Sequence, residues 1–323
     1  LEEVLRTLAA ARVRTVRLDA VGYAVKTPGT NCFLTADTVA FVAELAERAH
    51  RLGLEVLVEF HGHHAGLQAV ARACDWVYDF ALPALVLEAL LSARVERLVS
   101  WLRVRPRNSV NVLDTHDGIG IIDVAAGEEG PGLMSSAEID ALVAEVGKRT
   151  GGLTDRAPAP VPWSEVPYAL NTTYLDALGR DEQAYLAARL IQLLLPGPAQ
   201  VYYVGLLAGA NDVERFEATG LGRDLNRHVY GPEERSAALE LPVVRAQLAL
   251  VRLRTRHPAC AAGAVWEQHG PSGLRLRWRA GAGELDVTVD LATARFALRA
   301  TSPTGTVGAD SVDALAALAD HPW

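Results

Sequence analysis

The stretch Val110–Val124, VNVLDTHDGIGIIDV, decides how this chain is read. Val110, Val112 and Leu113 form a short apolar run of the kind that makes a buried strand. The run stops on a polar cluster, Asp114-Thr115-His116-Asp117. Gly118 and Gly120 then let the backbone turn sharply or approach a ligand closely. An α/β barrel places its chemistry at strands that end this way, in carboxylates and a histidine with a loop beyond. Taken alone, one such strand is better explained by aspartates capping a turn. Two further strands of this chain end in the same manner, and that shifts the balance.

Upstream, Leu1–Ala11 sets Leu1, Val4, Leu5 and Leu8 on one helical face. Val13–Asp19 alternates as a strand and ends at Asp19. A loop with Gly22, Pro28, Gly29 and Asn31 follows, and Thr35 or Asp37 caps a helix running to about Leu52. Leu54–Phe60 is a second strand ending at Glu59. A helix over about Ala65–Cys74 leads to a third strand, Trp76–Ala81. Pro83 starts a helix through roughly Val99, and the opening stretch supplies the fourth strand. Downstream, the helix Glu182–Leu195 precedes a fifth strand, Ala199–Gly205. Strands alternating with helices at this spacing indicate βαβ units and a parallel sheet.

The segment 119–181 differs. It is rich in Gly, Pro and Ala and carries one amphipathic helix, Ser136–Lys148, as expected of a long insertion above the strand ends. After the fifth strand, Leu206–Arg235 is a polar loop region, and Leu241–Thr255 is a last helix. From about Ala264 the period becomes two: Leu274, Leu276 and Trp278, then Leu285, Val287 and Val289, separated by Gly281 and Gly283. The expected organisation is therefore partial barrel over 1–118, insertion over 119–181, barrel completion over 182–263, and a small antiparallel β domain over 264–323.

Composition narrows the function. The 323 residues are 50% hydrophobic and 22% charged, a globular composition, and the net charge of −8 argues against nucleic acid and anionic membranes as partners. Apolar runs such as Leu190–Pro198 are too short to span a bilayer, and no signal peptide is visible. Three cysteines, Cys32, Cys74 and Cys260, without a CxxC pair suggest free thiols and a cytoplasmic protein.

Three strands end in acids: Asp19, Glu59 and Asp117. They should ring one end of a single barrel. Arg17, at i−2 from Asp19, points to the same side and needs a carboxylate partner, for which Asp19 or Asp117 is the natural choice. A guanidinium there keeps that acid ionised. Two acids about 5–5.5 Å apart make a retaining glycoside-bond catalyst. His61-Gly62-His63-His64 lacks strong zinc spacing and a nearby cysteine, so no metal is expected; His63 and His64 read as polar loop residues.

RLDAVGY (Arg17–Tyr23), Glu59 within VLVEFH and LDTHDG (Leu113–Gly118) resemble the successive signature regions of the α-amylase family, glycoside hydrolase family 13. With VYDFALP, VLDTHDGIG, QVYYVG and GRDLNRH, the chain resembles sucrose phosphorylases and their close relatives within it. The resemblance covers nearly the whole chain and weakens in Gly127–Ala159 and beyond about His257.

It implies an α/β fold, the C-terminal part of a (β/α)8 TIM barrel (about strands 4–8) plus the β domain, and a retaining glucoside phosphorylase producing α-glucose 1-phosphate. Asp19 would be the nucleophile, Glu59 the acid/base and Asp117 the transition-state carboxylate aided by His116. Arg17 would orient Asp19. Tyr168, Arg227 and His61 match acceptor, sugar or phosphate contacts, and Tyr23 would either pack near the acceptor or be a loop aromatic on the barrel rim. The implied partners are a small sugar and phosphate as co-substrate, with no cofactor and no calcium. The assembly is left open, a homodimer included.

Two departures stand out. Ala169 occupies a position that is usually Gln, and Gly62-His63-His64 replaces a Ser and an aromatic pair. Both put fructose as acceptor in question, so phosphorylases of sucrose 6-phosphate, glucosylglycerol or glucosylglycerate are alternatives. An α-glucosidase or transglucosidase of the same fold, or a non-catalytic sugar-binding remnant, are others. Only five strands are counted where a barrel needs eight, and the chain starts without Met inside a helix, so a fragment inactive by itself is expected.

Overall fold

In the computed structural model, which describes residues 1–162 and 164–323, β1 (Thr15–Leu18), β2 (Glu55–Val58), β3 (Trp76–Asp79) and β4 (Ser109–Asn111) form one parallel sheet in sequence order. Helices connect β1 to β2, β2 to β3 and β3 to β4, as in βαβ units. The registers Leu18↔Val58, Val58↔Val77 and Asp79↔Asn111 bring the C-terminal strand ends to one edge. The helix Ala36–His50 is capped by the Thr35 side chain, which accepts from Thr38 N–H, and buries Val42, Leu45, Ala46 and Ala49. The sheet is a partial barrel. Beyond β4, among the described residues, it is joined by one parallel bridge, Asn111 to Ala199.

Two expectations about elements are corrected. The fifth strand, Ala199–Gly205, contracts to that bridge. The Asn111 backbone donates to Pro198 O at 2.8 Å and accepts from Gln200 N–H at 3.0 Å, and Tyr203–Leu206 then turns into a short helix. No strand among the described residues pairs with the far side of 199–201, so nothing extends the ladder. The helix expected from Pro83 to Val99 is two helices, Ala81–Ser92 and Glu96–Val104. The first ends at Ala93 in the left-handed region (φ +59°), and the break lets the second turn Leu98, Trp101 and Leu102 inward.

In the insertion, β5 (Ile119–Gly120) pairs antiparallel with β6 (Ala169–Leu170) and closes the excursion at its base. The expected amphipathic helix spans Ser136–Arg149, opened by a Ser135/Glu138 capping box. The C-terminal unit is a five-stranded antiparallel sheet in the order β11 (Gly305–Ala309), β10 (Arg295–Ser302), β9 (Gly283–Asp290), β8 (Gly273–Ala280) and β7 (Ala264–His269). The two alternating runs of the sequence are β8 and β9. The apolar face of this sheet shares one core with the helix Glu182–Leu194. Trp278 donates its indole N–H to Leu194 O at 2.9 Å and lies under the Arg254 guanidinium, 4.2 Å from its ring centre. No helix among the described residues is long and apolar enough to cross a membrane.

Candidate active site

The three acids meet at the C-terminal edge of the sheet. Arg17, on β1, reaches two of them with its two terminal nitrogens: Nη1 donates to Asp19 Oδ1 at 2.6 Å and Nη2 to Glu59 Oε1 at 2.5 Å. Arg17 therefore pairs with Asp19 and Glu59; Asp117 is not among its partners. The planar fork suits this because its donors diverge at fixed angles. The second oxygen of Glu59 accepts from Ala20 N–H at 3.1 Å, and Ala20 adopts the left-handed region (φ +46°) to present that N–H. Glu59 is buried, whereas the Asp19 side chain is 72% exposed. The Asp19 carboxyl lies below the usual carboxylate range, first through the Arg17 hydrogen bond and then through contact with Glu59. At neutral pH it is an anion open to the cavity.

Asp117 sits in the loop after β4, braced by its own N–H donating to Thr115 Oγ1 at 3.1 Å. The GRDLNRH segment folds over this loop. Asn226 Nδ2 donates to Thr115 O at 2.6 Å and Arg227 Nε to His116 O at 2.8 Å. Asp117 Oδ1 then meets Arg223 at 2.9 Å and Arg227 at 3.3 Å, while Oδ2 lies 3.4 Å from His116. Arg223 is a site residue that the sequence reading missed. It stands four positions before Arg227 in the same motif, and that spacing was the available signal.

Asp114, three residues before Asp117, has a different fate. It is completely buried and bidentate with Arg189, at 3.1 and 2.7 Å. Tyr185 accepts from the same guanidinium. Burial opposes the charge on Arg189 and Asp114 favours it, with the net effect of raising the arginine further. Of the two aspartates in LDTHD, one is a structural anchor and the other faces the cavity.

A cavity of about 700 Å³ opens between these elements, lined by Asp19, Glu59 and Asp117 together with Tyr23, His61, His116, Tyr168 and Arg223. His61 stacks on Phe80, with ring centres 3.9 Å apart and planes within 10°. Its Nδ1 bonds Asp123 Oδ2 at 2.9 Å. Asp123, the last acid of the opening stretch, was also missed. Nothing in its local sequence sets it apart from a helix-turn carboxylate. Tyr168 is 5.2 Å from the His61 ring, and burial, then Asp123, Asp117 and Glu59, push its phenol upward. Tyr23 is half exposed against Phe33, with Lys26 over its ring.

Gly62 and His63 also line this cavity, whereas Ala169 does not. Ala169 is buried in β6, one pleat away from Tyr168. His63 is no ordinary loop residue. Its side chain is buried, caps the helix His64–Ala71 by accepting from Ala65 N–H, and its Nε2 bonds Pro131 O at 3.0 Å. Gly62 has φ +152°, a conformation that strains any side chain, and a Cβ there would press on the Phe60 ring at 3.0 Å.

Glu59, His61 and Asp117 each place a ligand-capable atom within 4.8 Å of the others. Arg17 pairs with Glu59 as well as Asp19, and Arg223 and Arg227 pair with Asp117, so all three acids have cationic partners. Chemically, an exposed anion and a buried carboxyl joined by one guanidinium, with a third carboxylate opposite, can perform nucleophilic and acid/base catalysis at one carbon.

The chain is similar to several known proteins. A sucrose phosphorylase of Agrobacterium vitis is 48% identical over 260 residues, covering 80% of this chain and 53% of that protein. A glucosylglycerol phosphorylase of Marinobacter adhaerens is 39% identical over 293 residues, covering 90% and 60%. The crystal structure of sucrose 6F-phosphate phosphorylase from Thermoanaerobacter thermosaccharolyticum superposes with a TM-score of 0.86 at 33% identity, covering 96% of this chain and 63% of that one. The chain thus spans little more than half the length of the curated relatives it matches. No protein-family model matches it.

Proposed function

The chain is homologous to sucrose phosphorylases and kindred glucoside phosphorylases, and from that premise we propose that it carries the catalytic acids of a retaining glucoside phosphorylase. The observation that carries the proposal is the Arg17 fork on Asp19 and Glu59.

In the first half-reaction an Asp19 oxygen attacks the anomeric carbon of an α-glucoside, and Glu59, protonated, delivers its proton to the departing oxygen. The C–O bond to the leaving group breaks and a β-glucosyl ester of Asp19 forms. In the second, a phosphate oxygen attacks the same carbon from the opposite side, its proton passes to Glu59, and the ester bond breaks. Two inversions give α-glucose 1-phosphate. Arg17 keeps Asp19 anionic for attack and holds it in register with Glu59. Asp117, fixed by Arg223 and Arg227 and assisted by His116, stands where positive charge develops on the sugar ring. Tyr168, Tyr23 and His61 line the side on which the acceptor enters. The co-substrate is inorganic phosphate, and no step calls for a metal or an organic cofactor.

A four-stranded open sheet does not enclose a sugar, so the chain by itself is inactive in this reading, and its relatives have length for further strands. The test is a longer polypeptide that includes this chain, given sucrose and phosphate. Formation of α-glucose 1-phosphate, abolished by Asp19→Asn and Glu59→Gln, supports the proposal. Free glucose released at a rate indifferent to phosphate overturns it in favour of a hydrolase.

A further inference from the structure

Asp123 makes two bonds to the loop that follows β2. Oδ2 meets His61 Nδ1 at 2.9 Å, and Oδ1 accepts from Gly62 N–H at 3.1 Å. It is buried, and Gly120 leaves it room, since a Cβ at 120 would lie 2.4 Å from Oδ2. The His61 ring is clamped flat on Phe80. A carboxylate is acceptor-only, so Nδ1 must carry a proton. That leaves Nε2 as the free nitrogen, buried and without a hydrogen-bond partner among the described residues. The charged or titratable groups around the ring are Asp123, Glu59, Asp117 and Tyr168.

We propose that Asp123 is a positioning residue, which fixes the Nδ1–H form and the plane of His61 so that Nε2 is the ring nitrogen offered to the oxygen that Glu59 protonates and deprotonates. A buried nitrogen left unpaired, on a ring held by a carboxylate and an aromatic face, is the mark of a donor or acceptor set in place before its ligand arrives. The service of Nε2 to that oxygen rests on the function proposed above; the locking of the ring by Asp123 does not.

The test is long-range ¹⁵N–¹H NMR of the imidazoles in this chain, at a pH above the His61 titration. Wild type is expected to show the proton on Nδ1. In Asp123→Asn the amide oxygen still takes Gly62 N–H while the NH2 faces Nδ1, so the proton is expected to move to Nε2. Asp123→Ala is expected to give a mixture. A wild-type ring protonated on Nε2, or an Asp123→Asn ring unchanged from wild type, overturns the proposal. In the longer polypeptide, Asp123→Asn is expected to lower kcat at least tenfold with the glucoside KM held. If that polypeptide shows no phosphorolysis while the tautomer inverts as expected, the functional reading fails and the positioning role stands.

Discussion

Arg17 Nη2 lies 2.5 Å from Glu59 Oε1, across the boundary between β1 and β2, while its sister nitrogen holds Asp19. Register in the parallel sheet sets this contact: Leu18 pairs with Val58, so the residues just beyond both strands arrive side by side. One guanidinium thereby fixes the separation of the proposed nucleophile and acid/base.

Arg17→Lys keeps the charge but loses the fork. In a longer polypeptide that includes this chain, the rate of glucosyl-enzyme formation is expected to fall about 100-fold, the scale of a misplaced reacting group. Stability should change by less than about 1 kcal/mol, because the Arg17–Asp19 pair is partly solvated. Single-turnover kinetics and a denaturant titration separate the two effects. A matching loss of stability would falsify the assignment of Arg17 to the chemistry.

Asp114 and Asp117 should behave oppositely. Asp114→Ala strands the buried Arg189 and is expected to cost about 3–5 kcal/mol. Asp117→Ala leaves Arg223 and Arg227 near solvent and should cost about 1 kcal/mol or less while abolishing activity. Urea midpoints of the two variants, measured side by side, decide it.

Gly205→Ala probes the same buried pair from the other side. A Cβ there would meet Asp114 Oδ2 at 2.0 Å and Arg189 Nη2 at 2.1 Å. The pair would have to shift, and destabilisation of at least about 1–3 kcal/mol is expected by thermal or chemical unfolding. An unchanged midpoint would show that the pair has slack enough to admit a methyl group.

His228 links Asp212 at 2.6 Å to Glu234 at 2.7 Å, beside the loop that delivers Arg227. Burial lowers its pKa, but hydrogen bonds to Glu234 and Asp212 outweigh this and raise it above the free value. A raised folded-state pKa means stability that is complete below about pH 6.5 and is lost as pH rises through the folded value. Asp212 is depressed, so its share is present above about pH 4 and lost below it. Wild type should therefore lose part of its stability as the pH climbs above about 6.5, relative to His228→Gln. Parallel melting curves for the two proteins between pH 5 and 9 would refute the linkage.

The alternation of β1 to β4, the acids at their ends, the capped helix after Thr35 and the period-two runs of β8 and β9 were legible because each is a local pattern, repeated at the spacing of its own backbone. The family resemblance and the three candidate acids were read from the same short segments. What stayed hidden depends on segments far apart in sequence. Asp117 was singled out from the sequence and Asp114 was not, but the partners that set their roles, Arg189 for Asp114 and Arg223 and Arg227 for Asp117, lie far along the chain. Asp123 reads as a turn acid until β2 brings His61 to it, and Ala169 read as an acceptor-side residue until its pairing in β6 turned it into the wall. The expected fifth strand failed for a related reason: its apolar run is strand-like, but a strand exists only where a partner supplies the ladder. Sequence by itself determined which side chains could do chemistry here; only the tertiary structure decided which of them share a cavity and which are spent holding it open, because burial and pairing of charge are set by neighbours that the local chain does not contain.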